Sequence, residues 1–261
     1  MPEIYELEPE LPKPDLPGHV VVQPTEGDVA DAIAADLYLH ALNCVRAHGD
    51  FHMALPSGVS PLKLYTTLMI DPAYREMPWK RTHLWIVSGQ ANDSGAEDAI
   101  LETIVQHGDI PSGQFHPMNA GSPNADTRYT KALTEHLGWR EKGHDRLDYV
   151  LLGVGADGST AGYKAPGPPP NRDDDLVHLH GSGDDATLSL SMRLINASRF
   201  VAIVATGKHK QPGIKQVTGR DSGSLPLSQI NPIGGVLKWY LDEAACPPAG
   251  PSKGPPKGKT P

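Results

Sequence analysis

A glycine-rich segment with one acidic and one hydroxyl side chain is the part of this chain that points most specifically to chemistry. The segment is Gly153-Val-Gly-Ala-Asp-Gly-Ser159, and it follows an apolar run typical of a buried strand. Its glycines at Gly155 and Gly158 let the backbone turn sharply and approach a ligand. Asp157 can accept hydrogen bonds or a proton, and Ser159 can donate a hydrogen bond. The spacing of Gly153, Gly155 and Gly158 also matches the pattern Gly-x-Gly-x-x-Gly of dinucleotide-binding loops. That pattern requires a helix directly after the loop, whereas turn-rich residues follow here, so a dinucleotide ligand is not favoured.

A second candidate segment combines serine hydroxyls with a glycine at the start of a predicted helix. In Ser57-Gly-Val-Ser-Pro61 the chain passes from an apolar run into a helical pattern. Backbone N–H groups at a helix start are unpaired and favour an anion. Gly58 permits close approach of the backbone, while Ser57 and Ser60 add hydroxyl donors. On spacing alone, a plain strand-to-helix turn with a serine cap explains the segment equally well.

Two further strand ends carry polar side chains. Lys210 closes the segment Thr206-Gly-Lys-His-Lys210 after an apolar run, where it can pair with an anion or simply lie on the surface. Ser88 and Gln90 end another apolar run. Both offer hydrogen bonds, but neither carries a charge near neutral pH. These positions complete the set of candidate ligand-binding residues.

The elements that position these residues alternate between β-type and helical patterns. Strands are predicted at 19–23, 51–55, 83–87, 148–154 and 200–205, and helices at 28–47, 61–69 and 233–245. Asp28 is predicted to cap the first helix. The alternation predicts an α/β fold, a single domain with a mostly parallel, doubly wound sheet flanked by helices. Ligands bind at the carboxyl ends of strands in such sheets, which is where the candidate segments lie.

These motifs resemble those of the 6-phosphogluconolactonase and glucosamine-6-phosphate isomerase superfamily. Residues 151–161 are similar to its pattern Leu-Leu-Gly-x-Gly-x-Asp-Gly-His-x-Ala, residues 57–61 to its phosphate loop, and residues 206–210 to its Thr-Gly-x-x-Lys segment. The resemblance covers roughly residues 25–245. It implies that the substrate phosphate is bound by Ser57, Gly58, Ser60 and Lys210. It also implies that the rest of the substrate is contacted by Ser88, Gln90, Gly155 and Gly158.

The chain departs from the family pattern at the positions that the resemblance links to catalysis. Ser159 stands where the lactonases have a histidine, the general base that activates water in that family. Ser88, Gly89 and Gln90 stand where the family has Asp-Glu-Arg or Asp-Glu-Tyr. A general base typically contributes about 100- to 10,000-fold to a rate. We therefore predict a phosphosugar-binding protein with weak or absent lactone hydrolysis, in which Asp157 and Ser159 occupy the catalytic position.

Two alternatives remain open. The chain could be an active lactonase that converts 6-phosphogluconolactone to 6-phosphogluconate, with Asp157 or a histidine such as His209 activating water. Lactone hydrolysis has a low barrier, so positioning and charge alone can yield a useful rate. The chain could also be a protein-interaction module with a vestigial pocket, using proline-rich ends as arms. Deaminase chemistry is not expected, because Asp157 alone remains of that branch's acid and base groups.

The composition and net charge of the chain restrict which partners and which cellular location can be expected. The formal net charge of −8 disfavours nucleic acid, because no broad basic surface is available. Two cysteines, Cys44 and Cys246, and an acidic start without an apolar stretch favour a reducing cytoplasm. No apolar run approaches the roughly 18 residues of a membrane span. We predict a cytoplasmic monomer or weak dimer that binds a small phosphosugar. Its folded domain is predicted at 19–246, between an extended proline-rich arm at 1–18 and a disordered tail at 247–261.

No metal and no cofactor are predicted. His178 and His180 form a close pair, but further ligands at a suitable spacing are lacking, and a solvated loop explains them better. His107, His116 and His144 show no metal-ligand spacing along the chain.

Overall fold

The computed structural model describes most of the chain. The described residues are 11, 13–57, 61–93, 95–138, 146–167, 169, 175–219 and 222–248, without the side chains of 95, 96 and 222. Most of the arm predicted at 1–18 and of the tail predicted at 247–261 lies outside them, so both assignments stay predictions. At the inner end of the arm, Leu16 is buried and the Pro17 carbonyl accepts a 2.8 Å hydrogen bond from Trp239 Nε1.

Strands and helices alternate along the described residues. In chain order they are β1 (His19–Gln23), α1 (Glu26–His48), β2 (Phe51–Leu55), α2 (Leu62–Ile70), β3 (Thr82–Ile86), β4 (Ser88–Gln90), α3 (Gly95–Ile100), β5 (Phe115–His116), α4 (Ala125–Leu137), β6 (Tyr149–Gly153), β7 (Val177–His180), β8 (Thr187–Leu190), α5 (Met192–Ala197), β9 (Phe200–Ala205), α6 (Gln211–Val217) and β10 (Val236–Asp242). Short 3₁₀ turns and one π-helical turn, Leu101–Val105, connect them.

A seven-stranded sheet forms the centre of the molecule, in the order β1-β10-β9-β6-β2-β3-β5, and each neighbouring pair is parallel. All five residues of β2 are buried, as expected for a sheet that is covered on both faces. The core includes Trp85, Tyr149 and Trp239. The strands β4, β8 and β7 form a small antiparallel sheet. The predicted α/β fold with a mostly parallel sheet is thus confirmed. None of the helices that the structure describes is long and apolar enough to cross a membrane.

The helix predicted at 233–245 is wrong, because these residues contain a central strand. β10 lies between β1 and β9 and pairs in parallel with both. Trp239, Tyr240 and Leu241 are each at most 1% exposed. A strand that is covered on both faces has no alternation of apolar and polar residues. Its apolar run therefore cannot be told from a buried helix by periodicity.

The first helix begins with a capping box, and Asp28 is not its cap. Thr25 is the N-cap of α1, and its hydroxyl accepts a hydrogen bond from the Asp28 N–H at 3.2 Å. The Asp28 carboxylate in turn accepts one from the Thr25 N–H at 3.1 Å. Asp28 is therefore the reciprocal partner three residues into the helix, and the helix starts earlier than predicted.

Truncating this cap should destabilise the protein. Thr25→Ala removes the hydroxyl that accepts the Asp28 N–H, so we expect the free energy of unfolding to fall by about 1 kcal/mol. Chemical denaturation measures the difference. Thr66→Ala, at an exposed position inside α2, is the matched control and should be neutral or slightly stabilising, because alanine favours the helix. Equal losses in the two variants would contradict a capping role for Thr25.

Candidate functional site

The glycine-rich loop after β6 is a tight turn held by its own backbone. The Gly155 N–H donates to the Ser159 carbonyl at 2.8 Å, and the Gly158 N–H donates to the Gly155 carbonyl at 3.0 Å. A Cβ at position 155 would lie 1.9 Å from Ser159 Oγ, so close packing requires a glycine there. Helix α6 packs directly on this turn, because a Cβ at Gly213 would lie 2.2 Å from the Gly155 carbonyl oxygen. Hydrogen bonds within the loop and the packing of α6 against it therefore both restrict its backbone conformation.

Asp157 and Ser159 are bonded to each other within this turn. The Ser159 hydroxyl donates to Asp157 Oδ1 at 2.6 Å, and the Ser159 N–H donates to the same oxygen at 3.0 Å. The hydroxyl of Ser159 holds the pKa of the Asp157 carboxyl below its usual range. Asp157 is therefore ionised at neutral pH, and it shapes the loop as a hydrogen-bond acceptor.

A cavity of about 370 Å³ lies beside the turn. It opens at the carboxyl ends of β6 and β9, which are neighbours in the sheet and pair Gly153 with Val204. Its polar lining comes from Gln90, Ser159, Thr160, Lys164, Thr206 and Lys210. The cavity thus lies where open α/β sheets bind ligands, and its size suits a small molecule.

Lys210 supplies a cation to this cavity from a 3₁₀ turn that follows β9. The turn is anchored by Gly207, whose N–H donates to both carboxylate oxygens of Asp242 at 2.9 Å. Partial burial lowers the pKa of Lys210, and the nearby Asp157 carboxylate opposes this shift. The side chain of Lys210 is therefore positioned, partly desolvated and within electrostatic reach of the glycine-rich loop.

The other predicted residues take different positions around the cavity. Gln90, exposed at the end of β4, is part of the lining. Ser88 is not in the lining, but its carbonyl accepts a 2.8 Å hydrogen bond from the Ser57 hydroxyl. Gly158 is buried against another segment, where a Cβ would lie 3.3 Å from Leu225. None of these three residues is in the described lining, but Ser88 packs behind it, because a Cβ at the lining residue Gly162 would lie 2.8 Å from Ser88 Cβ.

The structure brings some of the predicted site residues together at the cavity. The predicted residues that line the cavity are Gln90, Gly155, Ser159 and Lys210. Asp157 is connected to the lining through its bond to Ser159. Gly58 and Ser60 lie outside the described residues, so their contribution to phosphate binding stays a prediction.

Thr206 and Lys164 line the cavity although the sequence did not mark them as site residues. Thr206 directly follows β9, and its hydroxyl donates to Glu26 Oε1 at 3.4 Å. Its place in the Thr-Gly-x-x-Lys segment was a usable signal. Lys164 is exposed and borders both this cavity and a neighbouring one of about 300 Å³.

His178 and His180 lie on β7, and not in the solvated loop that the sequence suggested. His178 is 3% exposed, and its Nδ1 lies 3.0 Å from the Tyr163 hydroxyl. His180 Nε2 lies 3.0 Å from the Ser189 hydroxyl. Both rings are therefore held by hydrogen bonds within or beside the small antiparallel sheet.

Known proteins resemble this chain over most of its length. A family model described as glucosamine-6-phosphate isomerases/6-phosphogluconolactonase matches residues 24–239. The human GDH/6PGL endoplasmic bifunctional protein is 29% identical over 231 residues, which are 82% of this chain but only 28% of that protein. The 6-phosphogluconolactonase of Haemophilus influenzae is 24% identical over 234 residues, which are 85% of this chain and 96% of that protein.

The fold is also found among solved structures. The 6-phosphogluconolactonase from Thermotoga maritima superimposes with a TM-score of 0.71 at 21% identity, covering 86% of this chain and 99% of that one. At this identity the likeness shows a common fold.

Proposed function

The chain belongs to the family of glucosamine-6-phosphate isomerases and 6-phosphogluconolactonases, and from this premise we propose that it is a 6-phosphogluconolactonase-type phosphosugar-binding protein with weak or absent lactone hydrolysis. One observation carries the proposal. The described residues that line the cavity include the partly buried Lys210, but no histidine, aspartate or glutamate. The cavity can attract a phosphate, whereas its described lining lacks a group that takes a proton from water at neutral pH.

Lys210 is the residue that we expect to bind the substrate phosphate. Its partial burial leaves less water to compete for its protons, and hydrogen bonds from a charged donor to a phosphate are stronger than neutral ones. Gln90 and Thr206 add neutral donors to the same cavity, and Gly155 also lines it. This combination suits an anionic sugar such as 6-phosphogluconate or its lactone.

An active phosphosugar lactonase is the second candidate function. Asp157 is exposed and its pKa is lowered, so a carboxylate able to accept a proton stands next to the lining residue Ser159. The low pKa also makes it a weak base, and one of its oxygens already accepts two hydrogen bonds from Ser159. His209, exposed in the turn before α6, is the other group that could reach the cavity after a rotation. A protein-interaction module with a vestigial pocket is the third candidate.

Two measurements on one sample separate these functions. Hydrolysis of 6-phosphogluconolactone is followed against the spontaneous rate, and 6-phosphogluconate is titrated into the protein by calorimetry. We expect saturable binding with little or no acceleration. Marked acceleration would support the active lactonase. If the protein neither binds 6-phosphogluconate nor accelerates hydrolysis, both the phosphosugar-binding function and the lactonase function are overturned. The interaction module is then the remaining candidate.

Asp157→Asn tests the role of the carboxylate. Asparagine keeps an Oδ1 that can accept both hydrogen bonds from Ser159, so the loop should keep its shape. We expect the affinity for 6-phosphogluconate to stay within about threefold, because no direct contact is lost. We also expect the residual hydrolysis rate to stay the same. If the rate instead falls to the spontaneous level while binding persists, Asp157 is a catalytic base and the active-lactonase function is correct.

We also propose a cytoplasmic location and a monomer or weak dimer without a nucleic-acid partner. The net charge of −8 supports the last point, since an acidic protein repels nucleic-acid phosphates. Two relatives, the human and the rabbit GDH/6PGL endoplasmic bifunctional proteins, carry the word endoplasmic in their names, so an endoplasmic location is the outcome that would contradict this part of the proposal. Cell fractionation and light scattering decide location and oligomeric state.

A further inference from the structure

Three histidines from separate elements meet at one edge of the central sheet. His83 lies on β3, His116 ends β5, and His136 lies in the last turn of α4. Each offers a ring nitrogen, and these nitrogens lie within 4.8 Å of one another. The histidine cluster, as we call these three residues, is formed by a strand pair and by a helix that crosses over it.

The rings of this cluster are held in place by aromatic stacking. The His116 ring stacks on Trp85, with centroids 3.7 Å apart and planes 10° from parallel. Trp85 is itself fixed, because its Nε1–H donates to His52 Nδ1 at 3.1 Å. His136 contacts the His116 ring at an angle of 60°, with centroids 4.6 Å apart. His83 and His116 are therefore held close together, and His136 lies beside them; His83 and His136 are partly exposed, and His116 is only 9% exposed.

The hydrogen bond inside the cluster indicates that at least one ring is in the chemical form that binds metals. His83 Nδ1 and His116 Nε2 are 3.1 Å apart, so one ring nitrogen donates and the other accepts. The accepting nitrogen carries a lone pair, and a shift of the donated proton to the other nitrogen of its own ring gives the second nitrogen a lone pair as well. A neutral imidazole has a lone pair available for a metal ion, whereas a protonated one does not.

We propose that the histidine cluster binds a late first-row divalent cation, with Zn²⁺ as the type ion. Imidazole nitrogens suit Zn²⁺, Cu²⁺ and Ni²⁺, while Mg²⁺ and Ca²⁺ prefer oxygen ligands. Two nitrogens that bind one tetrahedral Zn²⁺ at about 2.0–2.1 Å lie about 3.3 Å apart. His83 and His116 already have nearly this spacing. A side-chain rotation of His136, partly exposed near the end of its helix, closes the remaining gap.

A nearby carboxylate favours a cation at this place. Asp50 is 6% exposed, and its Oδ2 lies 3.3 Å from His52 Nε2. Ligand atoms of Asp50, His52 and His83 also lie within 4.8 Å of one another, so His83 connects this carboxylate to the cluster. Asp50 is bonded to His52 and not to a member of the cluster, so its contribution is a negative charge close to His83, which favours a cation there.

This site is distinct from the phosphosugar cavity. His83 is the second residue of β3, and His116 ends the edge strand β5, where it pairs with Trp85. None of the three histidines is among the described residues that line the cavity beside the glycine-rich loop. The cavity opens at the carboxyl ends of β6 and β9. No metal site could be predicted at His116 from the sequence, because ligands from three separate elements have no common spacing along the chain.

The test uses the full chain, produced without a polyhistidine tag and freed of metal with a chelator. We expect calorimetric titration with Zn²⁺ to show one tight equivalent per chain, and titration with Mg²⁺ to show none. His136→Gln should weaken Zn²⁺ binding at least tenfold, because removing even a hydrogen-bond partner of a metal ligand typically costs about 10–100-fold in affinity. His107→Gln, at an exposed position outside the cluster, is the matched control and should bind as the parent does.

A second measurement separates ligation from a structural effect. Co²⁺ bound by the parent chain should give visible absorption bands that Zn²⁺ abolishes, and His136→Gln and His83→Gln should both lack these bands. Circular dichroism without metal should show both variants folded. The proposal is overturned if the parent binds no stoichiometric Zn²⁺, or if His107→Gln weakens binding as much as His136→Gln. Unchanged Zn²⁺ affinity in both cluster variants overturns it as well.

Discussion

Replacing Ser159 by histidine is expected to raise the rate of 6-phosphogluconolactone hydrolysis by about 100- to 10,000-fold, the usual contribution of a general base. Position 159 lines the cavity, and the resemblance to the family pattern implies a histidine at this position. The unperturbed pKa of histidine lies near neutrality, so its ring can take a proton from water, which a serine hydroxyl cannot do. The cavity of about 370 Å³ leaves room for the ring. The rate is followed by acid release, after subtraction of spontaneous hydrolysis.

The matched control for this variant is Ser159→Gln, which adds similar bulk and hydrogen bonding without a base. Both variants lose the hydroxyl bond to Asp157 Oδ1, so loosening of the loop affects them equally. The rate ratio of the two variants therefore reports the base alone. A histidine variant no faster than the glutamine variant would refute the view that a missing base limits hydrolysis.

Lys210→Gln should weaken the binding of 6-phosphogluconate by about 10- to 150-fold, which corresponds to about 1.5–3 kcal/mol for a hydrogen bond to a charged group. Glutamine can still donate a hydrogen bond, but it brings no charge to the phosphate. Lys210 is the lysine in the turn after β9 that lines the cavity. Calorimetry on the parent and the variant gives the ratio of dissociation constants.

The neighbouring Lys208→Gln is the control, because it changes the net charge by the same amount in the same turn. Lys208 is exposed and is not part of the cavity lining. We expect its variant to bind within about twofold of the parent, as for an exposed charge that is screened by salt. If both variants weaken binding equally, the general charge of the turn matters and Lys210 is not the phosphate ligand.

Much of the fold could be predicted from the sequence because the strands that carry the site are short, apolar and bounded by turn residues. The predicted bounds 51–55 and 200–205 agree with the structure, and 148–154 differs by one residue at each end. β10 could not be identified, since its burial on both faces removed the period that distinguishes strand from helix. The small antiparallel sheet was missed for a different reason. Strands as short as β4, with three residues, are specified mainly by pairing with distant strands.

The site was predictable where a motif fixed the backbone, and not where side chains meet from distant parts of the chain. Gly155 was identified by its motif, and the structure shows why only a glycine fits there. The bond between Ser159 and Asp157 was not foreseen, although both residues were named. The position of Lys164 at the cavity depends on how residues 161–164 turn, which no local pattern specifies. The cluster of His83, His116 and His136 likewise arises only when strand and helix pack together.

The place of β10 in the sheet has a consequence for how the protein is made. β1 pairs with β10 along five residues, and β10 is its sheet neighbour within the described residues. During synthesis, β1 is the first strand of this sheet to leave the ribosome, and its partner β10 is the last. β1 therefore stays without this partner until nearly the whole domain has been made. During that time both β1 and the edge of β9 expose unpaired backbone groups, which invite pairing with other chains. We therefore expect the yield of this protein in a cell to depend on chaperones that cover β1 until β10 has been made.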